Sequence, residues 1–145
     1  MISLIDCLLS DPRCVPQRAH DFDAGADLVA CTDVIVRPGQ KHLLDTGVAV
    51  KIPAGYAGFV LNRSSQRVRG ITSLGTGLID SEYRGTIKVF LENTGESEYV
   101  VKAYETKIAQ LVVMPVVLCD FYPVEDASNW LDTERGVNGF GSTGG

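Results

Sequence analysis

Three stretches of this sequence carry residue types suited to handling a phosphate chain: a carboxylate in a turn, an arginine followed by two hydroxyls, and a glycine-rich tail. The carboxylate is Asp80, inside GLIDSEYRG from Gly77 to Gly85, a segment that begins and ends on glycine. Displayed in a turn, it can accept the proton of a water that attacks phosphorus, provided the water is held in line. An isolated turn Asp more commonly caps a backbone N–H, so the segment alone leaves both readings open.

Arg63, Ser64 and Ser65 follow the apolar run Ala57 to Leu61 just after Asn62. A guanidinium, two hydroxyls and their N–H groups at the start of a helical turn make a compact anion site. A surface Arg beside a Ser cap explains the same residues equally well. The tail RGVNGFGSTG, Arg135 to Gly144, adds one Arg, one aromatic ring and two hydroxyls on a flexible backbone. It can wrap a phosphate with N–H groups while Phe140 stacks on a flat ring. Gly139, Gly141 and Gly144 also have the spacing of a dinucleotide fingerprint, but no strand and helix flank them, and that reading is rejected.

Asp23 to Leu28 (DAGADL) offers two acids, one of which could orient the hydration shell of a metal carried by phosphates; a loop entering a strand is the plainer account. Gln110 sits within the apolar run Ile108 to Met114, where a polar side chain needs a partner in a site or on a neighbouring strand. His20 and His42 stand apart, without an HExxH pattern, which leaves little support for a metal hydrolase or a His-activated nucleophile. Cys7, Cys14, Cys31 and Cys119 form no CxxC pair and read as free thiols of a reducing cytoplasm.

The elements that must position these groups are strands. The chain has 145 residues, 45% of them hydrophobic, enough for one globular domain with its own core. A net charge of -5 argues against a general nucleic-acid surface, and no apolar run is long enough to span a membrane. Short β-branched runs between Pro, Gly and Asn signals are the pattern of an all-β sandwich or barrel. Strands are expected at Val34–Val36, Gly47–Ile52, Ala57–Leu61, Thr86–Leu91, Tyr99–Val101, Lys107–Val113 and Val116–Tyr122, with an opening strand in Met1–Leu9 and a helical turn at Ser65–Arg69. From about Glu125 the chain turns acidic and then glycine-rich. The expected division is a body, 1–124, and an arm, 125–145, ordered by a ligand or a neighbouring subunit.

Taken in order, DAGADL (Asp23–Leu28), RSS (Arg63–Ser65), GLIDSEYRG (Gly77–Gly85), KIAQL (Lys107–Leu111) and RGVNGFGSTG (Arg135–Gly144) resemble the five motifs of trimeric dUTPases. The resemblance implies a distorted jelly-roll or β-barrel subunit and a homotrimer with active sites shared between subunits. The first, second and fourth motifs would come from one subunit, the third from another and the arm from the remaining one. The implied reaction is dUTP and water giving dUMP and pyrophosphate, with Mg2+ on the triphosphate. Asp80 resembles the base that activates water, and Tyr83 the ring beneath the deoxyribose. Leu78 and Ile79 would line the nucleoside pocket, and Arg63, Ser64, Ser65 and Gln110 would hold phosphates. In the arm, Arg135, Gly141, Ser142 and Thr143 would close on the phosphates with Phe140 on uracil, and Asp27 would act through metal-bound water. A cytoplasmic location is implied, or a host cytoplasm for a viral or phage member.

The sequence departs from the family pattern at several places. Asn62 and Ser65 stand where Pro and Gly are usual, Glu105, Thr106 and Lys107 where Gly, an acid and Arg are usual, and Asn138 where Gly is usual. Ile71 to Thr76 is one residue short and lacks an Asn that often helps read uracil. The nearest alternative is a dCTP deaminase or a bifunctional deaminase and dUTPase, a sister family on the same barrel. Its general-base Glu would lie three residues before Asn93, where this chain has Phe90; Glu92 is expected on the other face of the strand. Zinc deaminase signatures, HxE and PCxxC, are missing. A regulatory protein that keeps the fold and acts through protein partners is a further alternative.

Overall fold

The computed structural model describes residues 4–74 and 77–139. The described residues form eleven short strands, one 3-10 turn at Pro12–Cys14 and one short helix: β1 (Cys7–Leu9), β2 (Ala26–Val29), β3 (Val34–Val36), β4 (Lys41–Asp45), β5 (Val48–Val50), β6 (Tyr56–Leu61), α1 (Ser64–Val68), β7 (Ile71–Leu74), β8 (Leu78–Ile79), β9 (Lys88–Asn93), β10 (Tyr99–Val101) and β11 (Lys107–Pro115). This is the all-β architecture expected from the turn spacing, in the jelly-roll-like form that the family resemblance implied.

Two sheets carry most of the fold. One has the order β2-β11-β6-β8 and the other β4-β9-β7, while β1 pairs with β5 and β3 with β10. These pairings are antiparallel. Alternation puts one face of each strand inward. In β9, Val89, Leu91 and Asn93 are buried, and in β11 so are Ile108, Ala109 and Leu111. Leu28, Val36, Val48, Ile71 and Ile87 join them in one core cluster. The fully buried Asn93 is satisfied on every side: its Nδ2 donates to Val36 O (2.7 Å) and Ser97 O (2.8 Å), and its Oδ1 accepts from Gly95 N (2.9 Å).

Several expectations need correction. Val116–Tyr122 is no strand: Val116 N donates to Gly55 O, and from Val117 onward the described chain is exposed. The apolar run there is genuine, yet no neighbouring strand among the described residues offers a ladder. Among the described residues the opening strand covers Cys7–Leu9. Four strands, β2, β4, β7 and β8, lie outside the expected set. Glu92 does not turn to the other face from Phe90; two residues apart, both lie on the outer face of β9, and Glu92 reaches Lys41 at 3.3 Å.

Candidate functional site

The antiparallel register of β2, β11 and β6 brings three of the anticipated residues to one end of the larger sheet. Gln110 lies opposite Asp27 on one side and Leu61 on the other. The chain then leaves β6 through Asn62 and enters α1, where Arg63 occupies the extended position before the helix. Arg63 N donates to Gln66 Oε1 (3.1 Å), and Gln66 Nε2 donates to Ile108 O (2.8 Å), so a buried glutamine fastens the start of α1 to β11.

At this end, Asp27 is clamped by two cations. Its Oδ1 lies 2.8 Å from Arg63 Nε and its Oδ2 lies 2.8 Å from Lys107 Nζ, with its side chain only 13% exposed. Charge-assisted bonds of this kind fix both cations in direction as well as position. Arg63, Ser65, Lys107 and Arg69 line an open cleft of about 350 Å³ beside this clamp, with Glu105 as the acidic member of its wall. Ser64 and Ser65 are exposed on the first turn of α1. Gln110 Nε2 donates to Asn62 O (2.9 Å), which aims the amide along the same end of the sheet. Lys107 and Arg69 were not among the anticipated site residues; the cleft is what reveals them, since each is an ordinary surface cation by sequence.

Asp80 and Tyr83 form a second group. Ile79 pairs with Gly58 and Leu78 with Phe59, so β8 runs along β6 away from Arg63. Asp80 follows at the level of Ala57, exposed, and its carbonyl accepts from Tyr83 N (3.1 Å) to close the turn. Tyr83 Oη donates to Thr86 O (3.0 Å), holding the ring across Gly85. Ile79 is buried in the core, while Leu78 is exposed beside the turn. The stretch of extended chain from Ala57 to Arg63, at about 3.3 Å per residue, separates Asp80 from Arg63 by roughly 20 Å. One subunit therefore does not bring its water-activating candidate to its own cation cleft.

Arg135 lies in the exposed arm, where its Nε donates to Asn138 O (3.0 Å), a purely local bond. Phe140, Gly141, Ser142 and Thr143 lie outside the described residues. His20 lies 3.1 Å from Asp23 at the surface, in a local pair that does not involve the clamp.

For a metal, the described residues contain no group of three acids, histidines or cysteines able to form a cage. Both oxygens of Asp27 already face cations. That donor set fits a magnesium that arrives on phosphates and keeps its own waters, meeting Asp27 only in its outer shell.

Comparison with known proteins identifies the family. The family profile described as dUTPase matches residues 12–144. The deoxyuridine 5'-triphosphate nucleotidohydrolase of Cutibacterium acnes is 48% identical over 135 residues, covering 92% of this chain and 87% of that protein. The enzyme of the same name from Nautilia profundicola is 47% identical over 138 residues, covering 94% of each. Among solved structures, a variant of the Staphylococcus bacteriophage 80alpha dUTPase with dUpNHpp superposes with a TM-score of 0.85 at 27% identity, covering 99% of this chain and 100% of that one. A variant dUTPase from phage phi11 of S. aureus, described with a structural Mg(II) ion, gives a TM-score of 0.77 at 25% identity over 85% of this chain and 97% of that one. A profile match over most of the chain, together with relatives of this identity and coverage, means that the chain belongs to the dUTPase family.

Proposed function

We infer that this chain hydrolyses dUTP to dUMP and pyrophosphate, with Mg2+ as cofactor. The observation that carries the reading is the pair of site halves at opposite ends of β6: a clamped cation cleft at Asp27, Arg63 and Lys107, and a displayed carboxylate beside a fixed aromatic ring at Asp80 and Tyr83. The first half suits phosphates; the second suits water activation beside a sugar. Relatives at this level of identity carry the name of that activity.

The two halves meet if subunits share their sites, as in a homotrimer. Supporting this, Val117, Leu118, Phe121, Tyr122 and Trp130 are all at least 70% exposed in the single chain, an apolar surface that needs a neighbour. The domain division follows: a body, 1–124, and an arm, 125–145, that closes over a neighbouring site and excludes bulk water.

In such a site Arg63, Ser64, Ser65 and Gln110 grip the phosphates. Asp27 keeps Arg63 and Lys107 aimed and would meet a magnesium through water. Leu78 and Ile79 line the nucleoside pocket with Tyr83 under the deoxyribose. Arg135, Gly141, Ser142 and Thr143 close on the phosphates, and Phe140 stacks on the base. Magnesium bound with the triphosphate would neutralise its charge. Asp80 takes a proton as the water oxygen bonds to the α-phosphorus; the bond from that phosphorus to the bridging oxygen breaks, and pyrophosphate leaves with the electron pair. Deamination is disfavoured because Phe90 stands where that chemistry needs a base, Asn93 is wholly engaged in the core, and Glu92 is paired with Lys41.

The test is turnover of dUTP in 18O-labelled water with analysis of both products. Label in dUMP is expected. Label in pyrophosphate, or no turnover, overturns the reading.

A further inference from the structure

The cleft beside the Asp27 clamp owes its sign to one residue. Apart from Arg69, its charged surroundings among the described residues are Arg63, Lys107 and Glu105 in the wall and Asp27 behind the first two. The two cations are matched by the two acids, and each cation is already bonded to Asp27 at 2.8 Å. Arg69 is the charge left over, and it makes the cleft net positive. Its guanidinium has no ion pair or hydrogen bond among the described residues. An adjoining hollow, also lined by Arg69, holds Glu96 and Glu98, yet Arg69 pairs with neither, and Glu98 is taken by Arg37 at 3.1 Å. A cation beside other cations with no bond of its own gains from an arriving anion what the clamped pair has already gained from Asp27.

The fold holds the backbone of Arg69 in place although its side chain is exposed. Arg69 N donates to Gln66 O (3.0 Å) and Gly70 N to Arg67 O (3.1 Å), closing the end of α1, and Gln66 is the glutamine fastened to Ile108 O. On the other side, Gly70 O accepts from both Thr94 N and Thr94 Oγ1 at 2.9 Å, just past the end of β9. Only the stem of the side chain is left to move. Arg63 and Arg69 stand at opposite ends of the helix, about 9 Å apart at 1.5 Å per residue. Both side chains reach the same open space of about 350 Å³. Guanidinium groups entering from points that far apart suit a chain of phosphates better than a single one, since each can take its own pair of oxygens.

We propose that Arg69 is a substrate-binding residue for the phosphate chain: anchored at the end of α1, it is the uncompensated cation of the cleft and turns its guanidinium onto the triphosphate beside Arg63. The inference rests on the reading of the chain as a dUTP-hydrolysing enzyme. Arg63 and Lys107 supply a fixed frame, and Arg69 supplies the charge that the frame has already spent on Asp27.

The experiment titrates the full chain with inorganic triphosphate and Mg2+ by calorimetry and follows dUTP turnover, for wild type, Arg69→Gln and Arg67→Gln. Arg67 is exposed on the same helix and outside the cleft lining, so its variant loses the same charge without losing a contact. Arg69→Gln is expected to weaken inorganic triphosphate about tenfold and to raise KM for dUTP by a similar factor with kcat nearly constant, as for one charge-assisted bond made equally in ground and transition states. Its melting temperature stays at the wild-type value, since no bond within the chain is removed. Arg67→Gln stays within about twofold of wild type in both measurements, because an exposed charge off the cleft is screened. Unchanged triphosphate affinity in Arg69→Gln overturns the proposal. So does an equal loss in Arg67→Gln, a loss of affinity that comes with a lowered melting temperature, or a wild-type chain that does not bind inorganic triphosphate. A wild-type chain that binds triphosphate but does not hydrolyse dUTP would overturn the function; the triphosphate comparison would still judge Arg69 on its own.

Discussion

Gly25 lies directly against Gln110: a β-carbon at position 25 would fall 2.2 Å from Gln110 Oε1 and 3.1 Å from its Cβ. The glycine of the DAGADL segment is therefore what lets the Gln110 amide lie along the end of the sheet and donate to Asn62 O. Gly25→Ala should swing that amide away, break the bond and withdraw a phosphate contact. The expected result is a fall in kcat/KM for dUTP of about tenfold, with about 1 kcal/mol lost in denaturant unfolding. Unaltered kinetics would show that Gln110 does not serve the phosphates.

Tyr83 and Gly85 stand in a similar relation on the other half of the site. A β-carbon on Gly85 would lie 2.4 Å from the Tyr83 hydroxyl oxygen, which donates to Thr86 O. The ring is the movable partner, so Gly85→Ala should displace it at little cost in stability. If the ring polices the sugar, the variant accepts UTP more readily relative to dUTP, by roughly tenfold, since the lost contact is worth about one hydrogen bond. The check is the ratio of kcat/KM for the two nucleotides.

The arm contributes nothing to the core of its own subunit among the described residues. Every residue from Val117 to Gly139 is exposed, and the bonds near Arg135 are local. Deleting Arg135 to Gly145 should leave the melting temperature within about 2 °C of wild type, because the described part of this segment makes no buried contact. Turnover should drop on the order of a hundredfold, the scale on which a misplaced substrate costs rate. A truncated chain with full activity would contradict the lid.

Asp11 provides a pH test away from the site. The Arg13 side chain, and then the Arg13 N–H, bond its carboxylate and hold it down to about 2, against an ordinary 3.8. Arg13 in turn lies 3.9 Å over the Tyr104 ring. A depressed folded pKa means that this contribution to stability is present above 3.8 and is lost as pH falls through about 2. The carboxylate should titrate by NMR with a midpoint near 2 in wild type, moving toward 3.8 in Arg13→Gln; an unmoved midpoint would contradict the pairing.

Much of the fold was legible because β-branched runs bounded by turn residues coincide with real ladders, as at Val34–Val36, Tyr99–Val101 and the long β11. β4 was hidden because Lys41, His42 and Asp45 dilute its apolar signal, although it pairs along most of β9. β7 is diluted by Ser73, and β8 has only two residues. Val116–Tyr122 shows the converse error: a strand-like pattern without a partner strand among the described residues of its own subunit. Of the site, the residue types were readable but their pairings were not. That Asp27 faces both Arg63 and Lys107 follows from the register of β2, β11 and β6, which no local pattern encodes.

Hydrolysis of dUTP is tested by incubating the full chain with Mg2+ and each of dUTP, dCTP, dTTP and dATP in turn, identifying the base and phosphate products. The expected result is dUMP and pyrophosphate from dUTP, little turnover of the other three, and no turnover of dUTP by Asp80→Asn although that variant still binds dUpNHpp. Ammonia released from dCTP, equal hydrolysis of all four nucleotides, or a fully active Asp80→Asn would contradict it.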